Sequence, residues 1–151
     1  MPYVERTHLG LHREPRRAIL GASYTSILAL QVLLHRPATF TDFILGSPSV
    51  PFDPEILEPL TQMERRAETG AFIVSGALER EEQEPPAGRN TSFIANVHRD
   101  IPRAAHDLAR VLRGRAITVD GPHELEGEDH TTMKLGLISR GLTWLARRAL
   151  T

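Results

Sequence analysis

Four short apolar runs, each closed by Gly, Pro or charge and each followed by a helix-length segment, limit the fold more than any other feature of the chain. Residues 17–22 (RAILGA), 40–45 (FTDFIL), 71–75 (AFIVS) and 116–119 (AITV) read as buried strands. Residues 26–35 are apolar over a helical length and closed by Pro37. Residues 54–67 carry Ile56, Leu57, Leu60 and Met63 at near-helical spacing, which predicts packing positions on one face. Residues 103–113 set Leu108, Val111 and Leu112 beside Ala104, Ala105 and Ala109, with Gly114 suited to the position just past a helix end. Residues 131–150 predict a long final helix with Leu135, Ile138, Leu142 and Leu145 roughly on one side and Trp144 in the core. Residues 3–11 read as a short helix stopped by Pro15, and the acidic, Pro-rich residues 80–88 as a solvated loop. The order β-α-β-α-β-α-β-α predicts an α/β fold, a mostly parallel sheet of about four strands with right-handed crossovers and helices on both faces.

Composition removes several classes of function. At 151 residues the chain is expected to form one domain, 1–151. A charged fraction of 25% against 40% hydrophobic argues for a packed core rather than disorder. The absence of cysteine excludes disulfides, thiol nucleophiles and thiolate metal sites. A net charge of −1 offers no electrostatic footing for nucleic acid or anionic lipid. No apolar run reaches the ~18–20 residues of a membrane span, and the polar start lacks an export signal, so a cytoplasmic location is expected.

The stretch with most chemical content is Gly21-Ala22-Ser23-Tyr24-Thr25, between the first strand and the first helix. In open α/β sheets reactive groups gather at the carboxyl ends of strands. A Ser in a tight strand-to-helix turn is pushed above the sheet, and the N–H that follows, Tyr24, is placed for a developing oxyanion. The pattern for such an elbow is G-x-S-x-G; Thr25 stands where its second Gly is expected, which tightens the turn. A plain N-cap Ser opening a helix has the same local signature. A nucleophilic Ser also needs a base and an orienting acid, which in one architecture follow in the order Ser, acid, His. Glu79 sits just past the third strand in Gly76-Ala77-Leu78-Glu79, and His130 closes the loop Gly127-Glu128-Asp129-His130 before the last helix.

These residues resemble the esterase D and enterochelin esterase-like branch of the α/β-hydrolases. The likeness lies in Gly21-Ala22-Ser23-Tyr24, His35-Arg36-Pro37, Phe40, Gly46-Ser47-Pro48-Ser49, the Glu79 and His130 segments and Arg140-Gly141-Leu142, nearly the whole chain. It implies Ser23 as nucleophile, His130 as general base, Glu79 as the acid that orients it, and a small-molecule carboxylic ester as substrate with no cofactor. It also implies several strands before the elbow strand, so this chain reads as the C-terminal half of such a fold. Residues 1–13 would match the helix leading into the elbow strand.

Other residues carry weaker expectations. Asp53 is the rival acid, ranked below Glu79. Asp120 fits a cap at the end of the fourth strand. His123, Glu124, Glu126, Glu128 and Asp129 crowd His130 in sequence, but their spacing fits no helical His pair, so a solvated acidic loop is expected and no metal. His8, His12, His35, His98 and His106 read as surface or helix-face residues, Met63 as packing, and Ser47 and Ser49 as turn-formers, which the resemblance implies lie near the rim of the site. A rival reading makes the chain a catalytically silent fragment whose open sheet edge pairs with a second copy or with an N-terminal half. A nucleotide-binding domain ranks lower, since neither G-x-G-x-x-G nor G-x-x-x-x-G-K-[ST] is present.

Overall fold

The computed structural model describes residues 16–80 and 100–149. Within them run β1 Ala18–Ala22, α1 Tyr24–His35, β2 Asp42–Gly46, α2 Leu57–Gln62, β3 Gly70–Gly76, α3 Ile101–Gly114, β4 Thr118–Leu125 and α4 Met133–Ala149. Single 3-10 turns occupy Val50–Phe52, Pro54–Ile56 and Ala77–Glu79. The strands form one parallel sheet in the order β1-β2-β3-β4, so spatial order follows chain order. The expected helix 3–11, loop residues 81–88, and His8, His12 and His98 lie outside the described residues.

Period-two side-chain alternation divides the core between the two sheet faces. Phe43, Leu45, Ala71 and Ile73 pack against Ile27, Leu30 and Leu33 of α1, Leu60 of α2, and Leu108 and Leu112 of α3. Ile44, Phe72 and Val74 point the other way, onto Met133, Leu137 and Trp144 of α4. Three successive crossovers therefore cover one face, and α4 covers the other. Leu20 on edge strand β1 and Leu135, Ile138 and Leu142 on the outer side of α4 remain exposed. Among the described residues no helix is long and apolar enough to cross a membrane.

Three local expectations need correction. The helix expected over 54–67 is a 3-10 turn followed by only Leu57–Gln62. Arg115 draws the chain away beyond it: its carbonyl accepts the Arg66 N–H at 2.7 Å and its guanidinium donates to Met63 O at 3.4 Å. Gly114 is the last residue of α3, and the left-handed residue after the helix is Ala116, at φ 63°. The helix also starts earlier than expected, because the Asp100 side chain accepts the Arg103 N–H and caps it. Finally, β4 does not stop at Val119. It continues through Gly121-Pro122 to Leu125, and a register shift between Phe72 and Val74 of β3 absorbs the extra residue.

At the opening of β2, buried Asp42 ties two distant segments to the sheet. Its carboxylate accepts from Arg16 Nη2 at 2.9 Å, Thr41 Oγ1 at 2.7 Å and Arg148 Nε of α4 at 2.7 Å. Burial alone would raise its pKa, but the hydrogen bonds from Arg16, Thr41 and Arg148 outweigh that and hold it below the ordinary aspartate value. A depressed folded-state pKa gives stability that is present above the unfolded value of about 3.9 and lost as pH falls below it. Asp42→Ala is expected to cost about 2–3 kcal/mol in urea unfolding at neutral pH, with the difference from the parent chain shrinking below pH ~4. An unchanged midpoint at neutral pH would contradict this role.

Candidate active site

The site is built where β1, β2 and β3 end, on the side from which α1 departs. Ser23 follows the last residue of β1 and precedes the first of α1, with φ 58° and ψ −128°. That backbone is costly for a residue with a Cβ and persists only where its surroundings impose it. Here the Ser23 N–H donates to Gly46 O of β2 at 2.8 Å. Buried Ser26 donates from Oγ to Gly21 O and Gly46 O, stitching β1 to β2 beneath the turn. A Cβ at position 21 would lie 2.4 Å from Thr25 O, so only glycine fits the tight return of the chain. Thr25 is accommodated without a second glycine. Its Oγ1 accepts the Ala22 N–H and donates to Ala22 O, both at 2.7 Å, and so closes the elbow with a side chain.

Glu79 comes from the 3-10 turn directly after β3, and its side chain is 4% exposed. His130 comes from the loop between β4 and α4. A Cβ on Gly76 would lie 2.4 Å from Glu128 O, so this glycine lets that loop descend onto the end of β3. The Leu78 N–H then donates to Glu128 O at 3.0 Å. Asp129 accepts the Thr131 and Thr132 N–H groups on Oδ1 and anchors the turn from which His130 projects.

The three side chains form one hydrogen-bonded line. His130 Nδ1 lies 2.5 Å from Glu79 Oε1, and His130 Nε2 lies 2.8 Å from Ser23 Oγ. An ionised carboxylate only accepts, so Nδ1 carries the proton, the Nε2 lone pair faces Ser23, and the Ser23 hydroxyl donates to it. The other carboxylate oxygen, Oε2, accepts the Gly76 N–H at 2.7 Å and the Ser47 hydroxyl at 2.5 Å. Tyr24 is the first residue of α1, so its N–H has no acceptor a full turn back and points out of the positive helix end.

The sequence expectations divide against this geometry. Ser23, Glu79 and His130 meet, with Gly21, Ala22 and Thr25 shaping the turn and Tyr24 opening the helix. Asp53 does not join them. It lies with Gln31, Leu34 and His35 at the far end of α1, about 15 Å along that helix from Ser23. The acidic group around His130 also disperses. His123 and Glu124 are in β4, where His123 Nε2 meets Asp120 Oδ1 at 2.7 Å and its ring lies on Phe72. Asp120 therefore sits inside the strand, not at its end. Glu124 pairs with Arg80 and His106. Among the described residues no three His, Asp or Glu side chains are grouped to hold a metal ion.

Ser47 and Ser49 do more than form a turn. Ser49 Oγ is 3.3 Å from Ser23 Oγ, and Ser47 and Ser49 are both buried. Their signal in the sequence was position: a polar Gly-Ser-Pro-Ser run at the carboxyl end of the strand next to the elbow strand.

No protein-family model matches the chain, and no curated protein matches it. Solved structures do. Siderophore hydrolase EstA from Aspergillus nidulans superposes with a TM-score of 0.73 at 19% identity, over 97% of this chain and 52% of that one. Siderophore hydrolase EstB from the same organism gives 0.61 at 21% identity, over 93% and 55%. An IroE-like serine hydrolase from Shewanella oneidensis gives 0.58 at 15%, over 91% and 44%. The chain spans about half the length of these structures. At such identities the likeness establishes the fold alone, a four-stranded part of the α/β-hydrolase fold.

Proposed function

We propose that this chain, with the fold of about half an α/β-hydrolase, cleaves carboxylic esters through an acyl-enzyme formed on Ser23. The observation that carries the reading is the unbroken line of hydrogen bonds from Ser23 Oγ through His130 to Glu79. Two of the solved structures with this fold are named siderophore hydrolases and a third a serine hydrolase, which supports the same chemistry here.

In this mechanism Ser23 Oγ attacks the ester carbonyl carbon as its proton passes to His130 Nε2. Glu79 holds the Nδ1–H tautomer and stabilises the imidazolium without taking the proton. The tetrahedral oxyanion forms at the end of α1, where the Tyr24 N–H donates to it. Collapse breaks the ester C–O bond, and the alkoxide leaves with the proton from His130 Nε2. Water then attacks the acyl-Ser23, giving up a proton to the same nitrogen; collapse breaks the Ser23 Oγ–acyl bond, His130 Nε2–H returns the proton to Ser23 Oγ, and the acid is released.

A fluorophosphonate probe tests this, because it traps an activated serine. The parent chain is expected to label stoichiometrically and to hydrolyse p-nitrophenyl acetate. Ser23→Ala is expected to do neither. Probe attachment that survives in Ser23→Ala would remove Ser23 as nucleophile.

A further inference from the structure

We infer that Ser47 is a positioning residue for Glu79, setting the carboxylate that holds His130 in register with Ser23. The inference rests on the proposed reaction for its kinetic consequence and on geometry for its substance. The Ser47 residue is fully buried, and its Oγ–H is directed to Glu79 Oε2 at 2.5 Å. It thus completes a two-donor clamp with the Gly76 N–H on the oxygen that does not face His130. The clamp fixes rotation of the carboxylate, leaving Oε1 aimed at His130 Nδ1.

The backbone supports this assignment. Ser47 sits at φ 40°, in the left-handed region where glycine or asparagine is cheaper. Its N–H extends the sheet ladder by donating to Val74 O at 2.7 Å, so the strained residue is held by β3 itself. The preceding residue, Gly46, accepts the Ser23 N–H. A single turn therefore carries the anchor for the nucleophile backbone and the clamp for the acid, at opposite ends of the relay. Glycine would relieve the strain but would lose the hydroxyl. A serine at such a position, with its hydroxyl on Glu79, points to the hydroxyl as its reason.

The same feature separates positioning from mere packing. Ser47→Gly removes the hydroxyl and also the strain, so it is expected to be more stable than Ser47→Ala. Ser47→Ala removes the hydroxyl and keeps the strain. Both are expected to lose about ten- to a hundred-fold in kcat for p-nitrophenyl acetate with KM within twofold, the worth of one hydrogen bond to a charged group. Both are also expected to shift the downfield proton resonance of His130 Nδ1–H, which reports the Glu79 contact whether or not the chain turns over. A resonance unmoved in both variants, with kcat within twofold of the parent, would overturn the inference. Fluorophosphonate labelling of the parent chain in the same series reports separately on the hydrolase reading.

Discussion

Replacing His130 by alanine is expected to lower kcat for an activated ester by about 10⁶-fold while leaving the fold in place. The size follows from the geometry. Among the described residues Ser23 Oγ has one nitrogenous neighbour able to take its proton, His130 Nε2 at 2.8 Å, and its other side-chain partner, Ser49 Oγ, is a hydroxyl of no useful basicity. Relay members act as a unit, so removal of the base alone costs nearly as much as removal of the whole relay. The His130 side chain is 20% exposed, and among the described residues its ring nitrogens hydrogen-bond to Ser23 and Glu79. Its loop is held by Asp129 and by Leu78 N–H to Glu128 O, none of which uses the imidazole. Steady-state kinetics beside thermal unfolding checks both halves of the expectation. A loss under tenfold in a folded variant would show that another group takes the proton.

Glu79→Gln is expected to lower kcat by about 10⁴-fold, again in a folded chain. The amide is nearly the same size as the carboxylate, but it cannot be placed neutrally. Two donors, the Gly76 N–H and the Ser47 hydroxyl, face the Oε2 position, so the amide oxygen must occupy that side. The NH₂ group then faces His130 Nδ1 and makes that nitrogen an acceptor. The proton moves to Nε2, which now points a donor at Ser23 where the reaction needs a base. Kinetics with p-nitrophenyl acetate and the disappearance of the Nδ1–H resonance report the switch. Retention of that resonance with kcat within tenfold would mean that the acid plays no part in selecting the tautomer.

Much of the scaffold was legible because its information is local. Alternation along residues 71–75 is enough to divide Ala71 and Ile73 from Phe72 and Val74, and the two clusters separate in that way. The elbow is equally local: Gly21 answers a clash with Thr25 O four residues on, and Ser23 precedes the first turn of a helix. For two of the elements that were misread, a non-local contact had intervened. Arg115 ends the helix expected to reach residue 67, and pairing with β3 carries β4 past Gly121-Pro122, a dipeptide that locally reads as a stop.

The residues themselves determined the α/β class, the strand order along the chain and a serine presented at a strand-to-helix turn, since those follow from side-chain periodicity and from sterics within a few bonds. Which carboxylate serves His130, and that Ser47 clamps it, was decided only by the folded sheet. Ser23 and His130 are 107 positions apart, and Glu79 and His130 are 51. Along the chain Glu79 and Asp53 each follow a strand, and it is the family resemblance that ranks Glu79 above Asp53. Parallel strands in register bring the carboxyl ends of β1, β2 and β3 together at one rim, and Asp53 is carried to the other end of α1.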